Sequence, residues 1–242
     1  MINYISIKVL RKARNYLKNR ILLITKDDTW SHQAASESIR LFGKEIVWIK
    51  ENFEASLNFQ LANSPPKTTL ISFLCPRIIP SGVLNLVRLA LNFHPGPSNY
   101  PGIGCYNFAI YEKATRYGAI CHHMHAKVDS GPIVTERLFP ISADISVEKL
   151  KLKTMEKLLE IFIETLHILR EERLLPSSNI KWSRRPFTRK QLNMLTRITP
   201  DMSPNEITQR IKATVYPSQA GPVINIAGHD FYYPTPNREP SA

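Results

Sequence analysis

Short apolar runs alternate with polar, turn-forming segments over the first half of the chain. The run RILLITKDD predicts a buried strand, and TWSHQAASESIRLFG predicts a helix that starts near Thr29 or Ser31 and ends before Gly43. EIVWIK then predicts a second strand. This β-α-β succession favours a parallel sheet with helices on its faces.

The same pattern continues through the middle of the chain. TTLISFLC and ALNFH predict a third and a fourth strand, with a short helix over PSGVLNLVRL between them. CYNFAIYEK predicts a helix, and GAICHHMHAKV and GPIVTERLFPI predict two more strands. A long amphipathic helix is expected from about Val147 to Arg170, with Ser146 as its N-cap. Its apolar, core-facing stripe consists of Leu150, Met155, Leu158, Leu159, Phe162, Leu166 and Leu169.

The composition of the chain changes after Leu175, where the polar and basic stretch PSSNIKWSRRPFTRK begins. A short helix around SPNEITQRIKAT and two strand-like pieces, PVINIAG and DFYYP, follow it. The expected architecture is therefore an α/β fold with a Rossmann-like, open, mostly parallel sheet and helices on both faces. That catalytic domain covers residues 1–174, including a basic N-terminal extension, and a small helix and hairpin region covers residues 175–242.

The net charge of +12 is concentrated in two short stretches. Residues 1–20 carry six basic residues and no acidic one, and residues 181–200 do the same. Because the middle of the chain is neutral, two local patches are favoured over a long groove for nucleic acid. The N-terminal patch is interpreted as a solvated helix face, with a membrane-surface, partner or nucleic-acid contact as alternatives.

Three cysteines, Cys75, Cys105 and Cys121, are widely spaced among apolar neighbours. Their odd number and spacing suggest neither a disulfide framework nor a zinc site, so a reducing, cytoplasmic location is expected. The apolar runs are too short for a membrane span or for the core of a signal peptide. A soluble protein without a membrane span is predicted.

The turn after the first strand reads TKDDTW and lacks glycine. A dinucleotide site of Rossmann type needs glycines there, and two carboxylates would repel phosphate, so a nicotinamide or flavin enzyme is improbable. The fourth strand ends instead with Asn92 and His94, and Asp129 lies in a Asp-Ser-Gly turn in which Gly131 is expected to take positive φ. An amide, an imidazole and a carboxylate suit acyl transfer to an amine, because they can stabilise an oxyanion and move a proton.

Two motifs in combination, NFHPG…YPG and GAICHHMHAKVDSGPIV, resemble the folate-dependent formyltransferase family. The residues on the family pattern are Asn92, His94, Pro95, Gly118, His122, Asp129, Gly131, Pro132 and Ile133. The likeness covers roughly residues 20 to 170 and implies that Asn92, His94 and Asp129 are catalytic. The chain departs from the pattern in the loop GPSNYPG, which is one residue shorter than usual, and at His125, where the family has aspartate or threonine.

The resemblance further implies N10-formyltetrahydrofolate as the formyl donor. Its pterin is expected between the CPRIIP loop and the aspartate turn, where backbone groups do most of the recognition. The residues expected beside it are Arg77, Ile78, Ile79, Val128 and Gly131. His122 is expected in the wall of the active site. No metal is expected, since alternation along a strand keeps His122 on the opposite face from His123 and His125.

Among the acceptor classes of this family, the sugar-nucleotide N-formyltransferases resemble the chain most, because a segment like KWSRRPFT and a terminal hairpin follow their core. The implied acceptor is a dTDP- or GDP-linked 4-amino-4,6-dideoxyhexose of lipopolysaccharide (O-antigen) biosynthesis, handled by a homodimer. The residues expected to meet it are Tyr100, His122, Lys181, Arg184, Arg185, Phe187 and Tyr216. Solvent exposure of these arginines is an equal alternative.

Two other functions remain open from the sequence. One is a methionyl-tRNA formyltransferase-like enzyme, although the last ~65 residues fall short of a linker plus an autonomous barrel domain. The other is a non-catalytic homologue that binds a nucleotide or a partner, although such a role would not require all three polar catalytic positions.

Overall fold

The computed structural model describes residues 20–50, 53–62, 68–171, 175, 178–217 and 219–236. The basic N-terminal extension, except for Arg20, lies outside these residues. The strands are β1 (Ile21–Thr25), β2 (Ile46–Ile49), β3 (Thr69–Phe73), β4 (Leu89–His94), β5 (Arg116–His123), β6 (Ile133–Pro140), β7 (Arg197–Ile198), β8 (Val223–Ile226) and β9 (His229–Tyr232). The helices are α1 (Thr29–Phe42), α2 (Phe53–Ala62), α3 (Ser81–Leu84), α4 (Cys105–Tyr111), α5 (Val147–Arg170), α6 (Arg189–Leu195) and α7 (Pro204–Thr214).

The first six strands form one sheet in the order β2-β1-β3-β4-β5-β6. The pairs β1–β2, β1–β3 and β3–β4 are parallel, and helices cover both sides of the sheet. The predicted Rossmann-like α/β fold is therefore confirmed. β7, β8 and β9 form a second, three-stranded sheet in which β8 and β9 are antiparallel, so the C-terminal region contains the expected hairpin.

Contacts along the chain define two compact units. The first consists of Met1–Phe93, Cys121–Thr135 and Leu159–Ser178, and the second of His94–Ile120, Glu136–Leu158 and Asn179–Ala242. Both units contain pieces from before and after residue 120, because the chain passes between them several times. The sequence analysis instead divides the chain once, at residue 174, into a catalytic domain and a C-terminal region. That division stays a prediction.

The core of the first unit lies along the apolar strands. β1 and β3 are buried at every position, as expected for strands covered on both faces. Phe73 and Phe93 pack edge-on against Phe162 of α5, with ring centroids 4.9 and 5.0 Å away. The long helix thus buries the C-terminal part of its predicted stripe against this sheet.

The core of the second unit is built around α4. Its buried members are Tyr100, Cys105, Phe108, Ala109, Ile110, Tyr117, Phe139, Ile145, Val147, Leu150, Leu195 and Ala213. α7 is fixed to α4 by side-chain hydrogen bonds: Gln209 Nε2 donates to the carbonyl of Ile110 at 2.7 Å, and Asn107 Nδ2 donates to that of Ala213 at 2.7 Å. The C-terminal helix is therefore part of this core.

Side-chain caps define several helix starts. Asp28 caps α1 by accepting from Ser31 N at 2.9 Å, and the predicted cap Ser146 accepts from Lys149 N at 3.2 Å at the start of α5. At α6, Thr188 and Gln191 form a reciprocal capping box. These caps satisfy backbone N–H groups that the first helical turn leaves without partners.

Replacing Thr188 by alanine removes the hydroxyl of this capping box. We expect the free energy of unfolding to fall by about 1 kcal/mol, since one N–H of the first turn loses its acceptor. Urea denaturation of the variant and the parent measures the change. Thr196→Ala is a matched control, because its exposed hydroxyl only donates to the carbonyl of Asn193 at the other end of α6; an equal loss there would contradict the capping account.

Candidate active site

Three polar side chains of the first unit form a connected group, in which two are buried and one, Asn92, is half-buried. Asn92 lies on β4, His122 on β5 and Asp129 in the turn before β6. Asn92 Nδ2 lies 3.1 Å from His122 Nε2, and His122 Nε2 lies 3.3 Å from Asp129 Oδ1. His122 is 2% exposed and Asp129 is 6% exposed. The structure therefore brings together two of the predicted catalytic residues, with His122 between them.

The position of the ring protons of His122 follows from its neighbours. Nδ1 lies 2.8 Å from the carbonyl oxygen of His123. A carbonyl oxygen only accepts, so Nδ1 carries a proton and donates it there. Nε2 is thus the nitrogen that faces both the amide of Asn92 and the carboxylate of Asp129. The 3.3 Å separation places Nε2 and the carboxylate of Asp129 within reach of a shared proton.

The turn that carries Asp129 is organised differently from the prediction. Asp129 itself has φ +43°, whereas Gly131 is not among the positive-φ residues. The glycine is needed for another reason: a Cβ at position 131 would overlap the carbonyl oxygen of His123. Since that carbonyl accepts from His122 Nδ1, the close approach of Gly131 supports the group that orients the imidazole.

Gly131→Ala tests this arrangement. The added methyl group must displace the carbonyl of His123, so we expect the thermal midpoint to fall by several degrees and activity to fall by about 10²-fold through the misplaced imidazole. Gly82→Ala is the matched control, because a Cβ at Gly82 meets nothing within 4 Å. Circular dichroism melts and formyl transfer rates of both variants give the answer; unchanged activity in Gly131→Ala would contradict the supporting role.

His94 belongs to the second unit and has its own partners there. Its imidazole is 5% exposed, and Nε2 lies 2.9 Å from the carbonyl oxygen of Tyr100. The indole of Trp182 meets the ring edge-on, with centroids 6.0 Å apart. The sequence did not single out Trp182, because this residue lies 88 positions after His94 and their contact leaves no local signal.

The residues predicted to contact the folate differ in exposure. Ile78 is 71% exposed and Val128 is 43% exposed, which is unusual for large apolar side chains, and Arg77 is also exposed. The side chain of Ile79 lies in the core of the first unit, so only its backbone can face a ligand. Leu74, directly after β3, has φ +55°, a strained conformation for a bulky residue.

Three of the predicted acceptor residues make structural contacts within the second unit. The Phe187 ring stacks on Phe108 at 3.8 Å, and the Arg184 guanidinium lies over the Phe187 ring and pairs with Glu112 at 2.6 Å. Tyr100 is 6% exposed, and its burial, with the charge of Glu112 as a smaller cause, raises the pKa of its hydroxyl to about 12. These contacts hold the loop after β4, and binding of the acceptor by these side chains stays a prediction.

Of the other predicted acceptor residues, His122 is buried in the group described above, and three lie at the surface or near it. Lys181 and Arg185 are exposed. Tyr216 is half-buried and accepts a hydrogen bond from Lys151 Nζ at 3.0 Å. Of this group, the two exposed basic side chains have the chemistry and the accessibility that a diphosphate requires.

The turn between β1 and α1 is filled by its own ion pairs. Lys26 Nζ lies 2.8 Å from Asp28 Oδ2, and Lys50 Nζ lies 3.2 Å from Asp27 Oδ2. Hydrogen bonds from His32 and Lys50 lower the pKa of Asp27, so this carboxylate stays charged at neutral pH. A phosphate would meet two anions here, in agreement with the sequence argument.

The histidine cluster is divided between inside and outside. His122 is buried, His123 is half-buried and His125 is exposed. Burial, together with its histidine neighbours, lowers the pKa of His123. Over the part of the chain that the structure describes, no three His, Cys, Asp or Glu side chains are placed to hold a metal ion. Within the same residues, no helix is long and apolar enough to cross a membrane.

Comparison with known proteins assigns the chain to a family. Residues 7–166, about two thirds of the chain, match the family described as Formyl transferase. The chain belongs to this family, and it is a formyltransferase enzyme. A phosphoribosylglycinamide formyltransferase from Haemophilus influenzae is 29% identical over 148 residues, which are 57% of this chain and 68% of that protein.

Solved structures share the fold over nearly the whole chain. A sugar N-formyltransferase from a Shewanella species aligns with a TM-score of 0.72 at 14% identity, covering 92% of this chain and 99% of the other. A 4-N formyltransferase from Francisella tularensis aligns with a TM-score of 0.68 at 16% identity, covering 93% and 99%. An N-formyltransferase from Helicobacter canadensis, solved with folinic acid and dTDP-3-aminofucose, aligns with 0.65 at 15% identity, covering 82% and 81%.

Proposed function

We propose that the enzyme transfers the formyl group of N10-formyltetrahydrofolate to the primary amine of a nucleotide-linked amino sugar, a dTDP- or GDP-4-amino-4,6-dideoxyhexose. The observation that carries the proposal is the contact of Asn92 and of the buried Asp129 with Nε2 of the buried His122. Such a group costs free energy to bury, so its presence in a formyltransferase favours a catalytic role.

The chemistry assigns one task to each group. The amine nitrogen attacks the formyl carbon, a tetrahedral intermediate forms, and the bond from that carbon to N10 breaks. Asn92 donates to the oxyanion, and His94 is proposed to stabilise the oxyanion or to protonate N10. The amine loses one proton, which the Asp129–His122 pair accepts, and N10 gains one.

Folate binding is supported by the exposed apolar residues after β3 and before β6. Ile78 and Val128 offer apolar surface to a pterin ring, while backbone groups near Arg77, Ile79 and Gly131 are available for hydrogen bonds. Because a ligand that binds only the folded state stabilises it, tetrahydrofolate at 100 times its Kd should add about 2.7 kcal/mol to the free energy of unfolding. A thermal midpoint unchanged by tetrahydrofolate would instead favour the non-catalytic homologue.

A nucleotide sugar as acceptor is supported by the extent of the structural likeness. The alignments with the sugar N-formyltransferases include the C-terminal region, whereas the match to the phosphoribosylglycinamide enzyme covers 57% of the chain. The ion-paired turn after β1 also disfavours an acceptor phosphate at that point. Lys181, Arg184 and Arg185 are proposed to meet the diphosphate, and Tyr100, Phe187 and Tyr216 are proposed to line the base or sugar.

The direct experiment offers purified enzyme and N10-formyltetrahydrofolate to a panel of acceptors. The panel contains dTDP- and GDP-linked amino sugars, phosphoribosylglycinamide and methionyl-tRNA, and release of tetrahydrofolate is followed by absorbance. Turnover of an amino-sugar nucleotide supports the proposal. Turnover of methionyl-tRNA that falls steeply between about 50 and 200 mM salt would favour the tRNA enzyme, because phosphate contacts release counterions.

The same proposal extends to the setting of the enzyme. For this acceptor class we propose a homodimer that acts in the cytoplasm. Its product would be an N-formylated sugar for lipopolysaccharide O-antigen. Size-exclusion chromatography with light scattering tests the dimer, and a monomeric mass at micromolar concentration would contradict it.

A further inference from the structure

The imidazole of His94 is held by a backbone carbonyl, which determines the nitrogen that carries its proton. Nε2 lies 2.9 Å from the carbonyl oxygen of Tyr100. Since this oxygen only accepts, Nε2 donates a proton to it, and in the neutral ring Nδ1 is then the unprotonated nitrogen. The side chain of His94 is therefore oriented by the loop that follows it.

That loop, residues 95–104, is in turn held by a segment more than 80 residues later, Trp182–Phe187, which we name the clamp segment. Ser183 N donates to the carbonyl of Ser98 at 3.1 Å. Phe187 N donates to the carbonyl of Pro101 at 2.9 Å, and Ile103 N donates to that of Phe187 at 3.0 Å. These three backbone bonds lie on both sides of Tyr100, so they fix the direction of its carbonyl.

Two glycines allow the close approach that these bonds need. A Cβ at Gly96 would lie 2.7 Å from His94 Nε2 and 2.9 Å from the carbonyl oxygen of Tyr100. Gly102 has φ +88°, and a Cβ there would overlap the backbone of Phe187. Both contacts are tighter than side chains tolerate, so the loop and the clamp segment are packed around His94 at backbone distance.

The clamp segment also reaches His94 with a side chain. The indole of Trp182 meets the imidazole at an interplanar angle of 71°, a favourable edge-to-face arrangement. This contact and the hydrogen bond to Tyr100 restrain the ring from two directions.

We infer that the clamp segment is a positioning element for catalysis: it directs the Tyr100 carbonyl and the Trp182 ring at His94, so that Nε2 is occupied and Nδ1 faces the formyl group. Nδ1 donates to the oxyanion or to N10 in the protonated form of the ring, in which both nitrogens carry a proton. The inference rests on the proposed catalytic role of His94. It assigns to the C-terminal region a task in the chemical step, in addition to any contact with the acceptor.

The first test reads the ring protons directly and needs no substrate. In full-length enzyme labelled with ¹⁵N-histidine, long-range ¹H–¹⁵N spectra at alkaline pH distinguish the two neutral tautomers, and His94→Gln identifies the His94 signals by their loss. We expect the Nε2–H form of His94. An Nδ1–H form overturns the inference, whether or not the enzyme proves active on an amino sugar.

The second test uses Trp182→Ala and Trp182→Phe with the best acceptor of the panel. For a positioning role we expect kcat to fall about 10- to 100-fold in the alanine variant with the KM for the acceptor nearly unchanged, and to recover in the phenylalanine variant. A rise in KM at constant kcat would show that Trp182 is an acceptor contact instead and overturns the inference. An unchanged kcat in a folded alanine variant does so as well.

Gly102→Ala breaks the backbone pairing itself, with Gly82→Ala as its matched control. We expect the Gly102 variant to show a mixture of His94 tautomers and a loss of kcat of at least 10-fold. If the Gly102 variant does not fold, the positioning role is still tested by the His94 tautomer of the wild type and by the two Trp182 variants. If no acceptor is turned over by the wild type, the proposed function fails while the tautomer test stands.

Discussion

Asp129→Asn is expected to lower kcat by roughly 10³- to 10⁴-fold, with little change in the thermal midpoint. Asparagine has the shape of aspartate and tolerates the positive φ of this position, so the turn before β6 should keep its backbone. The amide cannot take up a proton, and it removes the anion that stabilises a protonated His122 Nε2. Stopped-flow or steady-state formyl transfer at saturating folate and acceptor measures the loss.

Asp201→Asn controls for the removal of one negative charge. Asp201 is exposed and lies in the turn before α7, and this variant should retain wild-type kcat within a factor of two. If Asp129→Asn retained more than a tenth of the wild-type kcat, the buried carboxylate would not be needed for proton transfer, and the chemistry proposed for the Asn92, His122 and Asp129 group would be wrong.

His94→Gln is expected to have the second large effect, a loss of kcat of roughly 10²- to 10⁴-fold. The glutamine amide can still donate to the carbonyl of Tyr100, so the loop after β4 should stay in place. It has no second titratable nitrogen to offer to the oxyanion or to N10. Comparing His94→Gln with the wild type therefore separates the chemical role of the imidazole from its role in holding the loop.

His229→Gln is the matched control for this substitution, because His229 is exposed in the β8–β9 hairpin. Both variants should melt within a few degrees of the wild type. A His94→Gln enzyme with near-normal kcat would contradict the proposed role, whereas a large loss in both variants would indicate a general effect on stability.

Much of the fold could be predicted because its signals are local. The apolar runs around β1 and β3 contain the observed strands, and ALNFH covers all of β4 except Leu89, which the sequence placed in the preceding helix. α5 has the predicted bounds because the Ser146 cap and the amphipathic stripe are both readable in the sequence. β7 could not be predicted in this way. It is two residues long and exists only through its pairing with β8.

Two helices were missed for different reasons. α2 has apolar residues spread around its circumference rather than along one face, so no periodicity marks it. α6 does carry a readable signal, since Thr188 and Gln191 have the spacing of a capping box, but the surrounding basic residues suggested an irregular segment.

The candidate site was readable in part. The two sequence motifs pointed to Asn92, His122 and Asp129 as site residues. The structure adds the distances between their side chains. The bridging position of His122 depends on the direction of a ring. The role of Gly131 depends on a backbone carbonyl packed against it. Neither of these three-dimensional relations can be seen in the sequence of a turn. For the same reason the sequence assigned positive φ to Gly131, whereas Asp129 adopts it.

We propose that this enzyme transfers the formyl group of N10-formyltetrahydrofolate to the amine of a nucleotide sugar. Mass spectrometry of the acceptor after reaction tests it most directly. We expect an amino-sugar nucleotide that is heavier by one carbonyl group, formed in equal amount to the tetrahydrofolate released and absent with Asp129→Asn. An unmodified amino sugar beside formylated phosphoribosylglycinamide or methionyl-tRNA would contradict it.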